Sequence, residues 1–202
     1  MEFFRRAAGQ PSALGVLAGT FNPPTRAHLA LASAALSVAG EVVFVLPRRF
    51  PHKRYEGASF EDRVRMLELA TAGEPRFSIA STGTGLFLDV ARACRQAYGP
   101  GVRLLLLCGS DAAERMINWD YGRPGAVAGQ LEEFELLVAD RQGRYQPPPE
   151  LQARIHRLPV AEDLAAISAT QIRERIRRGQ PWRHLAPEAI AAEIERCYGA
   201  NP

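Results

Sequence analysis

The chain has 202 residues, 47% of them hydrophobic, and a formal net charge of +3. That apolar share supplies the core of one α/β domain, and so small a charge does not announce a nucleic-acid surface. Cys94, Cys108 and Cys197 are odd in number, sit in apolar or helical settings and lack metal-ligand spacing, which points to buried reduced thiols of a cytoplasmic protein. No apolar run approaches a membrane span, so neither membrane nor nucleic acid is expected as a partner.

Residues 1–13, MEFFRRAAGQPSA, lack the apolar core of a signal peptide and are expected to form a loosely held extension. Leu14 to Ala18 is a short apolar run, as in a buried parallel strand. Gly19 and Thr20 end it, and Phe21-Asn22-Pro23-Pro24 disfavours helix because a residue before proline avoids the α region. Thr25 then caps a helix running to about Val38, with His28, Leu29, Leu31 and Ala32 on its apolar face. A strand, a tight turn and a helix N-terminus aimed at the sheet's carboxyl end make an anion site, since orphan N–H groups and the positive dipole end converge there. Arg26 and His28 occupy that first turn, where a cation is disfavoured by roughly 0.3–1 kcal/mol. Arg26 can point into water. His28 is either an imidazole of the helix–sheet seam or a ligand contact.

Glu41 to Leu46 is a second strand, and Pro47 to Ser59 is expected as a long basic loop at its carboxyl end, where open α/β sheets bind ligands. Of the 25 Lys and Arg residues, Lys53 in this loop is the one lysine. It is either an accident of an Arg-biased composition or a compact charge meant for a phosphate. A helix follows from about Phe60 to Ala72, with Val64, Leu67 and Ala70–Thr71 inward and Arg63, Arg65 and Glu68 mostly outside. Then come a strand at Arg76–Ala80, a turn at Gly83-Thr84-Gly85, and a helix at Leu86–Tyr98. Val102 to Cys108 is the most apolar strand and is expected at the centre. Gly109-Ser110-Asp111 leads into a helix ending near Asn118, with Asp111 by itself an N-cap. A Gly-rich segment, Tyr121 to Gly129, precedes strands at Phe134–Ala139 and Arg154–Leu158. From Ile167 the chain is helical in two pieces divided near Gln180-Pro181. Ser168 and Gln171 form a capping box, which puts Arg173 in the second turn, near a positive helix end that an anion would relieve.

Strands alternating with helices imply parallel strands joined by right-handed crossovers, a doubly wound sheet. Pro147-Pro148-Pro149 is too short to divide domains, so residues 1–202 are expected as one domain with a C-terminal helical segment at 167–199. There is no Gly-x-Gly-x-x-Gly after a strand, no Walker loop and no nucleophile elbow. His28, His52, His156 and His184 are scattered without metal-ligand spacing.

Residues 19–28, G-T-F-N-P-P-T-R-A-H, match the G-x-F-[DN]-P-x-[HT]-x-x-H signature of the nucleotidyltransferase superfamily, and most resemble nicotinamide/nicotinate mononucleotide adenylyltransferases. Many members carry Gly before the final His, where this chain has Ala27. Ile167-Ser-Ala-Thr-Gln-Ile-Arg173 resembles the family's second signature, I-S-x-T-x-I-R, and the similarity continues through Arg175 and Leu185-Ala-Pro187. Gly109-x-Asp111 resembles its Gly-x-Asp after the central strand, Trp119 an aromatic near its nicotinate pocket, and Val138-Ala-Asp-Arg141 a strand-end arginine. Thr82 and Thr84 stand where a threonine-containing motif borders the pyridine ring. The signature is also similar to that of class I aminoacyl-tRNA synthetases, for which this chain is too short.

The resemblance implies a mostly parallel Rossmann-like sheet and transfer of the adenylyl group from ATP to nicotinate or nicotinamide mononucleotide, with Mg2+ carried on the ATP phosphates. It implies that Gly19, Thr20, Phe21, Asn22, His28, Gly109, Asp111, Ile167, Ser168, Thr170 and Arg173 bind ATP. Thr20, Lys53, Thr82, Thr84, Trp119 and Arg141 would bind the mononucleotide, and His28, Thr25, Lys53 and Arg173 would serve catalysis. The alternatives are adenylyl transfer to phosphopantetheine and a nucleotide-binding sensor without turnover. Nicotinate against nicotinamide, and homo-oligomer against monomer, stay open at this level.

Overall fold

The computed structural model describes residues 1–49, 57–122, 125–139 and 145–199. Seven strands form one sheet: β1 (Glu2–Arg5), β2 (Ala13–Ala18), β3 (Glu41–Arg49), β4 (Phe77–Thr84), β5 (Arg103–Gly109), β6 (Glu135–Ala139) and β7 (Ile155–Leu158). Among the described residues, these α-helices flank it: α1 (Arg26–Ala35), α2 (Phe60–Ala70), α3 (Phe87–Tyr98), α4 (Ser110–Ile117), α5 (Ala126–Leu131), α6 (Glu162–Ala165), α7 (Ala169–Arg177) and α8 (Ala191–Tyr198). The strand order is β1-β4-β3-β2-β5-β6-β7, parallel throughout except for β1, which pairs antiparallel with β4. The expected doubly wound, mostly parallel α/β architecture is therefore the observed one.

From β2 the chain builds outward through β3 and β4, then returns across β2 and builds the other way through β5, β6 and β7. The reversal lies between β2 and β5, and the crevice beyond their carboxyl ends is where an open α/β sheet takes ligands. Period-two alternation sorts β5 cleanly. Leu104, Leu106 and Cys108 join the core under α3 and α4, while Leu105 and Leu107 join the core under α1 and α2. With both faces covered, the strand needs a continuous apolar run. It is interior, although β2 holds the middle of the seven-strand order. A third cluster, built on Met66, Ile172, Trp182, Ile190 and Ile194, fastens the C-terminal helices to α2.

Several expectations are corrected. Residues 1–13 are not a loose extension over their whole length, because Glu2–Arg5 is the edge strand β1. Adjacent phenylalanines point to opposite faces: Phe3 meets Tyr98 edge-on at 5.8 Å, and Phe4 meets Phe60 at 5.9 Å. Arg5 ties the strand down by donating to the carbonyls of Phe77 and Thr71 at 3.2 and 3.1 Å. The loop expected from Pro47 begins later, since β3 stays paired with β4 through Pro47–Thr82 and Arg49–Thr84. The same pairing draws Gly83 and Thr84 into the strand. Helix α5 occupies part of the Gly-rich segment 121–129. Gly109, and not Asp111, is the N-cap of α4.

Arg63 was expected outside and is 4% exposed. It shares the buried face of α2 with Met66 and Leu67, three and four residues on, and donates from Nη1 to the Thr20 carbonyl at 2.9 Å. Among the described residues no helix is long and apolar enough to cross a membrane. Cys94 and Cys108 are buried and Cys197 half-buried. Burial pushes the first two thiols up to about 12, which keeps them protonated and inert.

Candidate active site

At the carboxyl end of β2 the chain turns sharply. Gly19 N–H donates to the Val45 carbonyl at 3.0 Å, and a Cβ on Gly19 would stand 3.1 Å from the Phe21 ring, so glycine alone fits without displacing it. Phe21 has φ of 46°, a left-handed conformation that a non-glycine residue rarely adopts and that the surroundings must enforce. They do so by burying its ring, which meets the His28 imidazole edge-on at 5.1 Å and Phe44 at 5.7 Å. The following Asn22–Pro23 peptide is cis.

Thr25 caps α1 as expected, with its Oγ1 accepting from His28 N–H at 3.3 Å. In return the Thr25 backbone N–H donates to His28 Nδ1 at 2.9 Å. An amide N–H can only donate, so Nδ1 is the unprotonated nitrogen and Nε2 carries the hydrogen. The capping box thus makes His28 a neutral donor in a fixed tautomer. Thr25 itself is fully buried and lies behind the cavity wall. Through these contacts it aims the imidazole.

Across the crevice, Ser168 caps α7. Its Oγ accepts from Gln171 N–H at 3.2 Å, and Gln171 Oε1 accepts from Ser168 N–H at 3.5 Å. Arg173 reaches back to the signature loop, donating from Nη1 to the Asn22 carbonyl at 2.5 Å and from Nη2 to Thr170 Oγ1 at 3.3 Å. The first turns of α1 and α7 contain no acidic residue, and α4 starts on Gly109 without a side-chain cap.

These three helix N-termini open on a cavity of ≈ 630 Å³ lined by both signatures and by the ends of β2 and β5. Thr20, Asn22, His28, Gly109, Asp111, Ile167, Ser168, Thr170 and Arg173 all reach its wall. Of the expected ATP-binding set, Gly19 and Phe21 lie beneath that wall and shape it. Ala27 also lines the cavity while packing against the third core cluster. Among the described residues, the Lys, Arg, Asp and Glu side chains on the wall are Arg115 and Arg173 against Asp111, a balance that favours a polyanion.

Other expected residues do not converge there. Thr82 donates to the Thr84 carbonyl at 2.8 Å and Thr84 to Asp89 at 2.6 Å, and neither is on the cavity wall. Trp119 is 53% exposed and borders a separate shallow cleft with Tyr121 and Val127. Lys53 and Arg141 lie outside the described residues.

The structure adds members that sequence reasoning missed. Phe87, at the start of α3, puts an aromatic ring on the wall, and Arg115 adds a guanidinium. Arg115 follows Asp111 by four residues on α4, and that helical spacing was the available signal. Among the described residues no group of three His, Cys, Asp or Glu side chains is placed to hold a metal ion.

The cytidylyltransferase-like family model matches residues 16–175. A protein of Moorella thermoacetica named a probable nicotinate-nucleotide adenylyltransferase is 33% identical, over 92% of this chain and 90% of its own length. One of the same name from Geobacillus thermodenitrificans is 34% identical, over 93% and 87%. Among solved structures, the Plasmodium falciparum nicotinic acid mononucleotide adenylyltransferase complexed with NaAD superposes with a TM-score of 0.68, covering 91% of this chain and 95% of that one. At 16% identity that likeness speaks for the fold.

Proposed function

The chain belongs to the cytidylyltransferase-like family, among its nicotinate-nucleotide adenylyltransferases, and from that premise we propose how its cavity carries out the reaction. It is a nucleotidyltransferase that joins ATP to a pyridine mononucleotide in NAD biosynthesis. Its preferred acceptor is nicotinate mononucleotide, the substrate named in its relatives.

A phosphate oxygen of the mononucleotide attacks the α-phosphorus of ATP. The new O–P bond forms as the bond to the bridging α–β oxygen breaks, and pyrophosphate leaves with that electron pair. No side-chain nucleophile is needed. Holding both reactants in line can supply on the order of 7–11 kcal/mol, and donors aimed at developing charge supply the rest.

The observation that carries this reading is the fixed tautomer of His28. With Nδ1 held by the Thr25 N–H, Nε2–H is the donor for the α-phosphate as its charge builds. Ser168, Thr170 and Arg173 at the α7 terminus serve the β- and γ-phosphates. Asp111 and Gly109 serve the adenosine side, and Lys53 the mononucleotide phosphate or leaving pyrophosphate. Thr82, Thr84, Trp119 and Arg141 remain assigned to the mononucleotide on the strength of the motif alone. Asp111 is the single carboxylate on the described wall, too few for an octahedral protein cage, so Mg2+ is proposed to enter on the ATP phosphates and water.

Steady-state pyrophosphate release with each acceptor tests the proposal. Nicotinate mononucleotide should exceed nicotinamide mononucleotide in kcat/KM by on the order of tenfold or more. Release only with phosphopantetheine, or ATP binding with no release, would overturn it.

A further inference from the structure

The signature loop is gripped from behind at Asn22, a residue only 6% exposed. Arg173 donates to its backbone carbonyl. Its side-chain Oδ1 accepts from the hydroxyl of Tyr198, the last residue of α8 and 176 positions away in sequence. The Tyr198 ring belongs to the margin of the third core cluster. It passes so near the chain that a Cβ added to Gly57 would lie 2.8 Å from its Cε1. Burial raises the phenol's pKa.

In this hydrogen bond the Tyr198 hydroxyl is the donor and Asn22 Oδ1 the acceptor. Asn22 thus presents its carbonyl oxygen to Tyr198, and its NH2 group is turned the opposite way.

We propose that Tyr198 is a positioning residue of the active site, whose hydroxyl orients the Asn22 amide and holds the loop that carries Thr20 and aims His28. The proposal rests on the adenylyl-transfer reading of the cavity. It gives the C-terminal helix a part in the chemistry through one atom, although no atom of α8 lines the cavity.

The test is a double-mutant cycle of Tyr198→Phe with Asn22→Ala, read by steady-state kinetics, thermal unfolding and the side-chain NH2 resonances of Asn22. Phenylalanine keeps the ring's packing and removes only the hydroxyl. Tyr198→Phe is expected to lower kcat about tenfold, with both KM values within about threefold. The unfolding midpoint should stay within about 2 °C. The Asn22 resonances should shift, and Tyr198→Phe should change kcat less than about twofold further in the Asn22→Ala background.

Wild-type kcat in Tyr198→Phe, a loss that persists in full without Asn22, or a fall in midpoint large enough to explain the loss would each overturn the proposal. Absence of turnover in the wild-type protein would overturn the functional reading instead. The Asn22 resonances would then decide for Tyr198 alone: a shift supports it and an unchanged spectrum overturns it.

Discussion

The two ends of the sheet use polar groups in opposite ways. At the amino end, carboxylates are enclosed and consumed by their neighbours. Glu41, 2% exposed, accepts from the hydroxyls of Ser78 and Tyr98, each at 2.5 Å. Glu135 accepts from Arg103 at 2.8 and 2.6 Å and pairs with His156 at 2.6 Å. At the carboxyl end the cations and helix N-termini outnumber the acids, and their donors line a cavity. One fold thus separates a region of satisfied carboxylates, which supports stability, from a region of donors in excess, which supports binding of phosphates. A substitution at one end should move stability and leave kinetics, and at the other the reverse.

The largest effect is expected at His28. His28→Ala should lower kcat by at least about 100-fold while ATP still binds, because the imidazole acts on transition-state charge. Near-normal turnover would return His28 to the helix–sheet seam.

Arg173→Ala comes next, with a rise of roughly 10- to 100-fold in KM for ATP from the loss of a charge-assisted contact worth about 1.5–3 kcal/mol. Because Arg173 also holds the Asn22 carbonyl, some loss of kcat should accompany it. Titration of an ATP analogue against the variant separates the two effects.

At the opposite end, Glu135→Gln should leave kcat and KM unchanged and lower stability at pH 7 by about 1–2 kcal/mol, allowing for the half-exposed Arg103. Hydrogen bonds from Arg103, joined by His156, hold the Glu135 carboxyl at about 2, below its ordinary 4.5. Its stabilising contribution is therefore complete above about 4.5 and is lost as pH falls toward 2. Denaturation of both proteins across that range should show the gap closing in acid, and a gap independent of pH would break the comparison.

The smallest effect is expected at Lys53. Lys53→Arg should be impaired in kcat/KM and Lys53→Met more so, with the unfolding midpoint unmoved. Equal activity in all three proteins would pass the phosphate role to Arg48, Arg49 or Arg54.

What was legible in the sequence was local. The caps at Thr25 and Ser168 depend on side chains three residues from their partners, and both signatures could be placed on helix N-termini before any coordinates. The apolar run of β5 announced a strand covered on both faces. What escaped depends on distance along the chain. Arg63 meets Thr20 across 43 positions and Tyr198 meets Asn22 across 176, so no window of sequence shows either bond. The edge strand β1 escaped because Phe3-Phe4 breaks the usual apolar–polar alternation, each ring finding a different face of the sheet. Thr82, Thr84 and Trp119 were placed beside the ring pocket by motif alone, and in the structure they stand off the cavity wall.

The proposed reaction is a direct transfer, one acceptor oxygen displacing pyrophosphate from the α-phosphorus with no enzyme nucleophile between them. ATP made chiral at the α-phosphorus by sulfur substitution tests this most directly, through the configuration of the dinucleotide formed with nicotinate mononucleotide. A single in-line displacement predicts inversion. Retention would require two displacements and a covalent adenylyl-enzyme, and would rule out direct transfer.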